Sequence, residues 1–185
     1  MRLLPVVALA VLLAAVPSMP AAAQGSSTVM ADLMSDVAEV EQKLVSLARA
    51  MSTESYAWRP AAGVRSVGEV FQHVAADNYL IPIFAGTPAP VATGIKGDAY
   101  ATVQAYETRS ADRATVIADL EQSFAHLRAA MTASATRSPA DTVRLFGQSR
   151  TLQQLWVLAT THLHEHLGQA IAYARSNGVT PPWSR

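Results

Sequence analysis

Cysteine is missing from all 185 residues. That absence excludes disulfides, thiolate metal ligands, a cysteine nucleophile and a lipid anchor behind an export signal. The chain must therefore hold its fold by packing alone. Charge is also sparse. Fourteen basic and fourteen acidic residues are mixed along the sequence for a formal net charge of zero, and without a basic cluster the electrostatic footprint of a nucleic-acid binder is missing. Internal repeats are absent, and no segment alternates with period two over a useful length, although Thr142 to Phe146 fits a short extended piece. Behind the N-terminus, no stretch is both long and charge-free enough to span a bilayer.

The N-terminus itself reads as an export signal. Arg2 supplies the positive region, Leu3 to Val16 the apolar core, and Pro17 and Pro20 break it ahead of Ala21-x-Ala23. The apolar run of about 14 residues is short of the roughly 20 that span a membrane as a helix. We expect residues 1–23 to be a signal peptide cleaved before Gln24, with no stable membrane anchor afterwards and a periplasmic or secreted product. Residues 24–185 are enough for one domain with a sizeable core.

Four stretches carry helical periodicity. Met30, Leu33, Val37, Val40, Leu44, Leu47 and Met51 step by threes and fours along one seam. A second helix runs from Ser66 to about Ile83, opened by Ser66-x-x-Glu69 at capping-box spacing, with Val67, Val70, Phe71, Val74 and Leu80 or Ile81 as its apolar stripe. A third runs from about Ala111 to Met131, with its seam on Ile117, Leu120, Phe124, Leu127 and Met131. The fourth starts near Thr151-x-x-Gln154 and reaches Arg175 before Asn177-Gly178 and Pro181-Pro182 stop it. The connection from Phe84 to Arg109 is long enough to cross the molecule and leaves room for a short helix at Asp98 to Glu107. The expectation is an all-α four-helix bundle with one crossover between the second and third helices, in which Gly86 to Gly97 overhangs a site.

The chemistry sits on histidines. His162 and His166 lie one turn apart, about 5.4 Å, within the stripe of Leu155, Trp156, Ala159, Leu163, Leu167 and Ala170. His164, turned by about 200°, points away. Two inward imidazoles are either neutral side chains bonded across the core or two ligands of one cation. His73, on the edge of the second helix's stripe, is a third inward candidate, and three neutral histidines leave coordination positions free for water or substrate. His126 lies off its seam and reads as surface. Asp77, one turn beyond His73, is an outer acceptor, a further ligand, a base or a solvated flank residue. Gln169 and Tyr173 follow His166 by three and seven residues and either orient a ligand or substrate or simply pack. Glu165 reads as surface, Glu69 as a cap, and Trp58, Arg59 and Pro60 as the turn between the first two helices.

Tyr56-Ala-Trp58-Arg59-Pro60, then Gly63-Val-Arg65-Ser66-Val-Gly-Glu69-Val-Phe-Gln-His73, then His162-x-x-x-His166-x-Gly168-Gln169, and finally Asn177-Gly178-x-x-Pro181-Pro182-Trp183, closely resemble the DinB/YfiT-like superfamily in order and spacing. The resemblance implies up-down-down-up topology, homodimers, and one divalent metal on His73, His162 and His166. Three imidazoles suit zinc or nickel, with iron a further candidate. It also implies metal-dependent chemistry on an unidentified small molecule: hydrolysis by metal-activated water, or transfer and isomerisation using a thiol. For hydrolysis, Asp77 is the candidate catalytic base by its position one turn beyond His73. An exported chain is remote from the cytoplasmic thiol pool, which weighs against the thiol reaction. A non-catalytic metal- or ligand-binding protein is the reading from another functional class.

Overall fold

The computed structural model describes the backbone of residues 21–184 and side chains from Val29 onward. The expected signal segment therefore falls almost wholly outside the described residues. Five helices and one hairpin follow in order: α1 (Ala21–Ala50), α2 (Val67–Phe84), α3 (Tyr100–Glu107), α4 (Arg113–Ser134), β1 (Thr142–Leu145), β2 (Gln148–Thr151) and α5 (Leu152–Ser176). The chain is mostly helical, and the hairpin corrects the purely α expectation. Its strands are four residues each and pair antiparallel from Thr142 opposite Thr151 to Leu145 opposite Gln148, too short for a period-two pattern to stand out.

The helix starts are chemically specified. Ser66 and Glu69 satisfy each other's backbone N–H groups, at 2.7 and 3.2 Å, and Thr151 and Gln154 do the same at 3.0 and 3.1 Å, so both expected capping boxes form. Asp112 caps α4 through the Thr115 N–H. At the far end of α5, Gly178 takes a φ of +73° while the Val179 N–H returns to the Ala174 carbonyl, a turn a side-chain-bearing residue would enter with strain.

α1 and α2 each pack on both α4 and α5, and α3 lies against α2. The core joins Val37, Val40, Leu44 and Leu47 of α1 to Leu120, Phe124 and Leu127 of α4 and Leu155, Trp156 and Leu163 of α5. On α4 the seam begins at buried Val116, while Ile117 is only partly buried. α2 is buried nearly all round, with only Glu69, Asp77, Ile83 and Phe84 less than buried. Its position among α3, α4 and α5 requires that: a helix with neighbours on most sides has little face left for water.

Candidate metal centre

α2 and α5 bring three histidines together. One ring nitrogen from each of His73, His162 and His166 lies within 4.8 Å of the other two, and the ring centroids are 4.4 to 5.3 Å apart. The register explains the convergence. His73 is in the second turn of a helix whose start is pinned by Ser66, and His162 and His166 are stacked one turn apart on the α5 face towards it. His73 and His166 are buried, while the His162 side chain keeps 25% of its exposure and gives the cluster its opening to solvent. His164 lies on the outer face of α5 and meets Asp36 at 2.9 Å.

The outer nitrogens are held. The Nδ1–H of His73 donates to Glu107 Oε1 at 2.7 Å, since a carboxylate only accepts, and Arg65 binds the other Glu107 oxygen at 3.1 and 3.3 Å. The Nδ1–H of His166 donates to Gln169 Oε1 at 2.9 Å, and the Gln169 amide donates onward to the Tyr173 hydroxyl at 3.1 Å. Trp58 packs edge-on against Tyr173, with ring centroids 5.3 Å apart. Both rings thus have their tautomer fixed with the Nε2 lone pair free, the arrangement that orients histidine ligands in metal sites.

Asp77 lies inside the cluster. Its Oδ2 is 2.7 Å from His162 Nε2 and 3.4 Å from His73 Nε2. The hydrogen bond to Asp77 raises the pKa of His162 above its ordinary value against the opposing effect of burial, with further help from the Asp77 and Glu165 charges. His166 goes the other way: burial first, then the charges of its two histidine neighbours, push it down to about 4, so it is neutral at pH 7. Burial alone would raise Glu107, but its bond to His73 and the charges of His73 and Arg65 prevail and hold it low. Most telling is His166 Nε2, which is buried without a hydrogen-bond partner. A buried unpaired imidazole nitrogen is costly, and a cation shared with two neighbouring imidazoles would satisfy it.

Glu107 and Arg65 escape sequence reasoning. Glu107 lies 34 positions from His73 on a short helix whose placement comes only from packing on α2. Two surface assignments fare differently. Glu165 is exposed, with its side chain at 77%, whereas His126 is half-buried against Tyr79, ring centroids 5.3 Å apart, with its Nε2 enclosed. His126, on α4, meets Tyr79 of α2 with the two ring planes tilted by 46°. Glu69 caps α2 and also binds Arg59 at 3.0 Å.

A family model described as the DinB superfamily matches residues 37–170. A DinB-like protein from Bacillus cereus ATCC 10987, solved by crystallography, superposes with a TM-score of 0.63 over 77% of this chain and 89% of that one. The two are 14% identical, so this likeness concerns the fold. No curated protein matches the chain.

Proposed function

We propose, from the premise that this chain belongs to the DinB superfamily, that it binds one divalent metal through His73, His162 and His166 and hydrolyses a small molecule there. The observation that carries the reading is the convergence of three imidazoles on one point with the buried Nε2 of His166 unpartnered. When bound, the ion supplies Lewis acidity and a water acidified towards about pH 7. The protein's own part is orientation and proton traffic. Glu107 and Gln169 keep two Nε2 lone pairs aimed inward, His162 would release its Nε2 proton to solvent on taking the ion, and the Asp77 carboxylate beside it would then be the base. Zinc and nickel fit three neutral nitrogens, and iron is also compatible.

The finer architecture belongs to the same reading: α1, α2, α4 and α5 as a four-helix bundle of up-down-down-up topology, with α3 in the crossover, exported to the periplasm or medium and acting as a homodimer without nucleic acid. The thiol S-transferase or isomerase alternative would use the same three histidines. One observation favours the non-catalytic alternative. Asp77 already touches two of the three histidines, so it is also placed to complete the ligand set and close the site. Elemental analysis after purification without a metal-affinity tag, then titration with zinc, nickel and iron, tests the centre. Metal-free protein that binds none of them sinks it. Screening the loaded protein against esters, amides and thiol-conjugation substrates separates the catalytic readings, and inactivity of metal-loaded protein throughout would leave the closed-site alternative.

A further inference from the structure

The face of α2 that carries His73 and Asp77 continues to Leu80 and Phe84, at steps of four, three and four residues. Leu80 is only about 4.5 Å further along the axis than Asp77. At that end of α2 the structure has a cleft of about 620 Å³, bounded by Leu80 and Phe84, by the loop at Lys96 and Gly97, and by Arg144 and Phe146 of the hairpin. Its size is that of a small-molecule site. Gly97 allows the loop wall to approach, since a Cβ there would lie 2.9 Å from Ile83 Cγ2.

Phe146 is the unusual wall. It occupies the first position of the two-residue hairpin loop with a φ of +48°, followed by Gly147 at +79°. That position favours asparagine, aspartate or glycine, and a left-handed conformation carries a steric cost for a bulky side chain. Burial does not offset this cost well, because Phe146 remains 62% exposed even though its ring meets Phe84 edge-on at 5.1 Å between centroids. A strained and exposed aromatic is better explained by something that packs on it. The charges indicate what. Lys96 and Arg144 line the same cleft, and neither forms a salt bridge among the described residues; Asp98 is the single acidic group beside them.

We propose that this cleft binds a small organic acid, its apolar or aromatic body against Phe84 and Phe146 and its carboxylate between Lys96 and Arg144. Its role as the substrate-recognition end of the neighbouring centre rests on the metal reading, whereas the binding itself does not. The probe is 4-phenylbutyrate, compared with its neutral amide, 4-phenylbutanamide, by NMR titration of the metal-free full chain. The acid should bind at least fivefold more tightly than the amide. Changing Lys96 and Arg144 together to Gln should erase that difference, and Phe146→Gly should weaken both probes at least fivefold. Glycine relaxes the positive φ, so this variant should fold at least as well, and circular dichroism verifies it. Equal binding of acid and amide, or unchanged binding by folded Phe146→Gly, overturns the assignment. Separate titrations with zinc, nickel and iron, without the acid, keep the two ideas apart. Metal binding without acid binding overturns only the cleft; acid binding by protein that takes up none of zinc, nickel and iron supports the cleft and overturns the metal reading.

Discussion

Towards α4, α2 buries Gln72 and Asn78; towards α5 it buries His73 beside Asp77. On the α4 side Asn78 donates to Ser123 at 3.1 Å, and the Gln72 amide donates to Asp119 at 2.9 Å. Arg109 grips the same Asp119 and lies over the Tyr106 ring, 4.0 Å from its centroid. These groups differ in chemical type and pair off, donor to acceptor, leaving the Gln72 Oε1 without a partner. On the α5 side three identical side chains face one another, and with the Nδ1–H groups of His73 and His166 committed to Glu107 and Gln169, their inward Nε2 atoms are both acceptors and cannot pair with each other. Burial of polar atoms is thus common to both flanks. What distinguishes the α5 side is redundancy of ligand type at one focus, and that is the mark of a site for something else.

The sharpest way to break this comparison is to remove one member of the focus. His166→Ala should weaken metal binding by more than the 10–100-fold typical of losing an outer partner, with His73→Ala and His162→Ala close behind. Isothermal titration reads the loss, and circular dichroism should report a retained fold because the core of α1, α4 and α5 does not depend on the ion. If His162→Ala keeps the metal while His164→Ala loses it, both the helix register and the ligand assignment fail.

Next is Glu107→Gln. It keeps the size but removes the carboxylate that fixes the His73 ring, and about a 10–100-fold loss in metal affinity is expected from the same titration. On the opposite flank the effects should exchange. Asp119→Ala strands Gln72 and Arg109, and chemical denaturation should register a loss of about 2 kcal/mol while metal affinity of the folded protein stays within about twofold. A comparable drop in affinity would show that the two flanks are not independent.

A smaller effect is expected with pH. Burial depresses His126 below its ordinary value, so the unfolded chain takes up its proton first as pH falls. The contribution of His126 is complete above the usual histidine range, near pH 6.5, and is lost progressively below it. Melting temperatures at pH 7.5 and 5.5 should fall further apart in the native chain than in His126→Gln, and equal gaps would remove His126 from the account. The least effect belongs to His164→Ala: its ring is on the exposed side with Asp36, where such pairs contribute at most about 1 kcal/mol, and metal binding should be unchanged.

Much of the centre was legible because helical periodicity relates near neighbours. The i+4 pair on α5, the inward edge of α2 and the two capping boxes together predict which histidines face inward. The placement of Asp77 beside them and of Gln169 against His166 follows from the same spacing. Glu107 was illegible for the complementary reason: its partner is set by how the crossover folds back on α2, and no local period encodes that. The first strand was legible as the short extended piece at Thr142 to Phe146, but its partner was hidden by its brevity and by Phe146-Gly147 standing where Asn-Gly would have announced a turn. His126 was misread because a position off the apolar seam can still meet an aromatic ring on the neighbouring helix.

The two helices that carry the clustered histidines are also, among the described residues, the two that open with complete capping boxes, and this bears on how the chain can change length. A residue inserted in the exposed stretch before Ser66 would be absorbed ahead of the box, leaving His73 in phase. The same insertion between Val67 and Gln72 would swing His73 by about 100° and take it off the focus. Gains and losses during divergence should therefore gather upstream of Ser66 and Thr151, while Ser66 to Asp77 and Thr151 to Gln169 keep a fixed count.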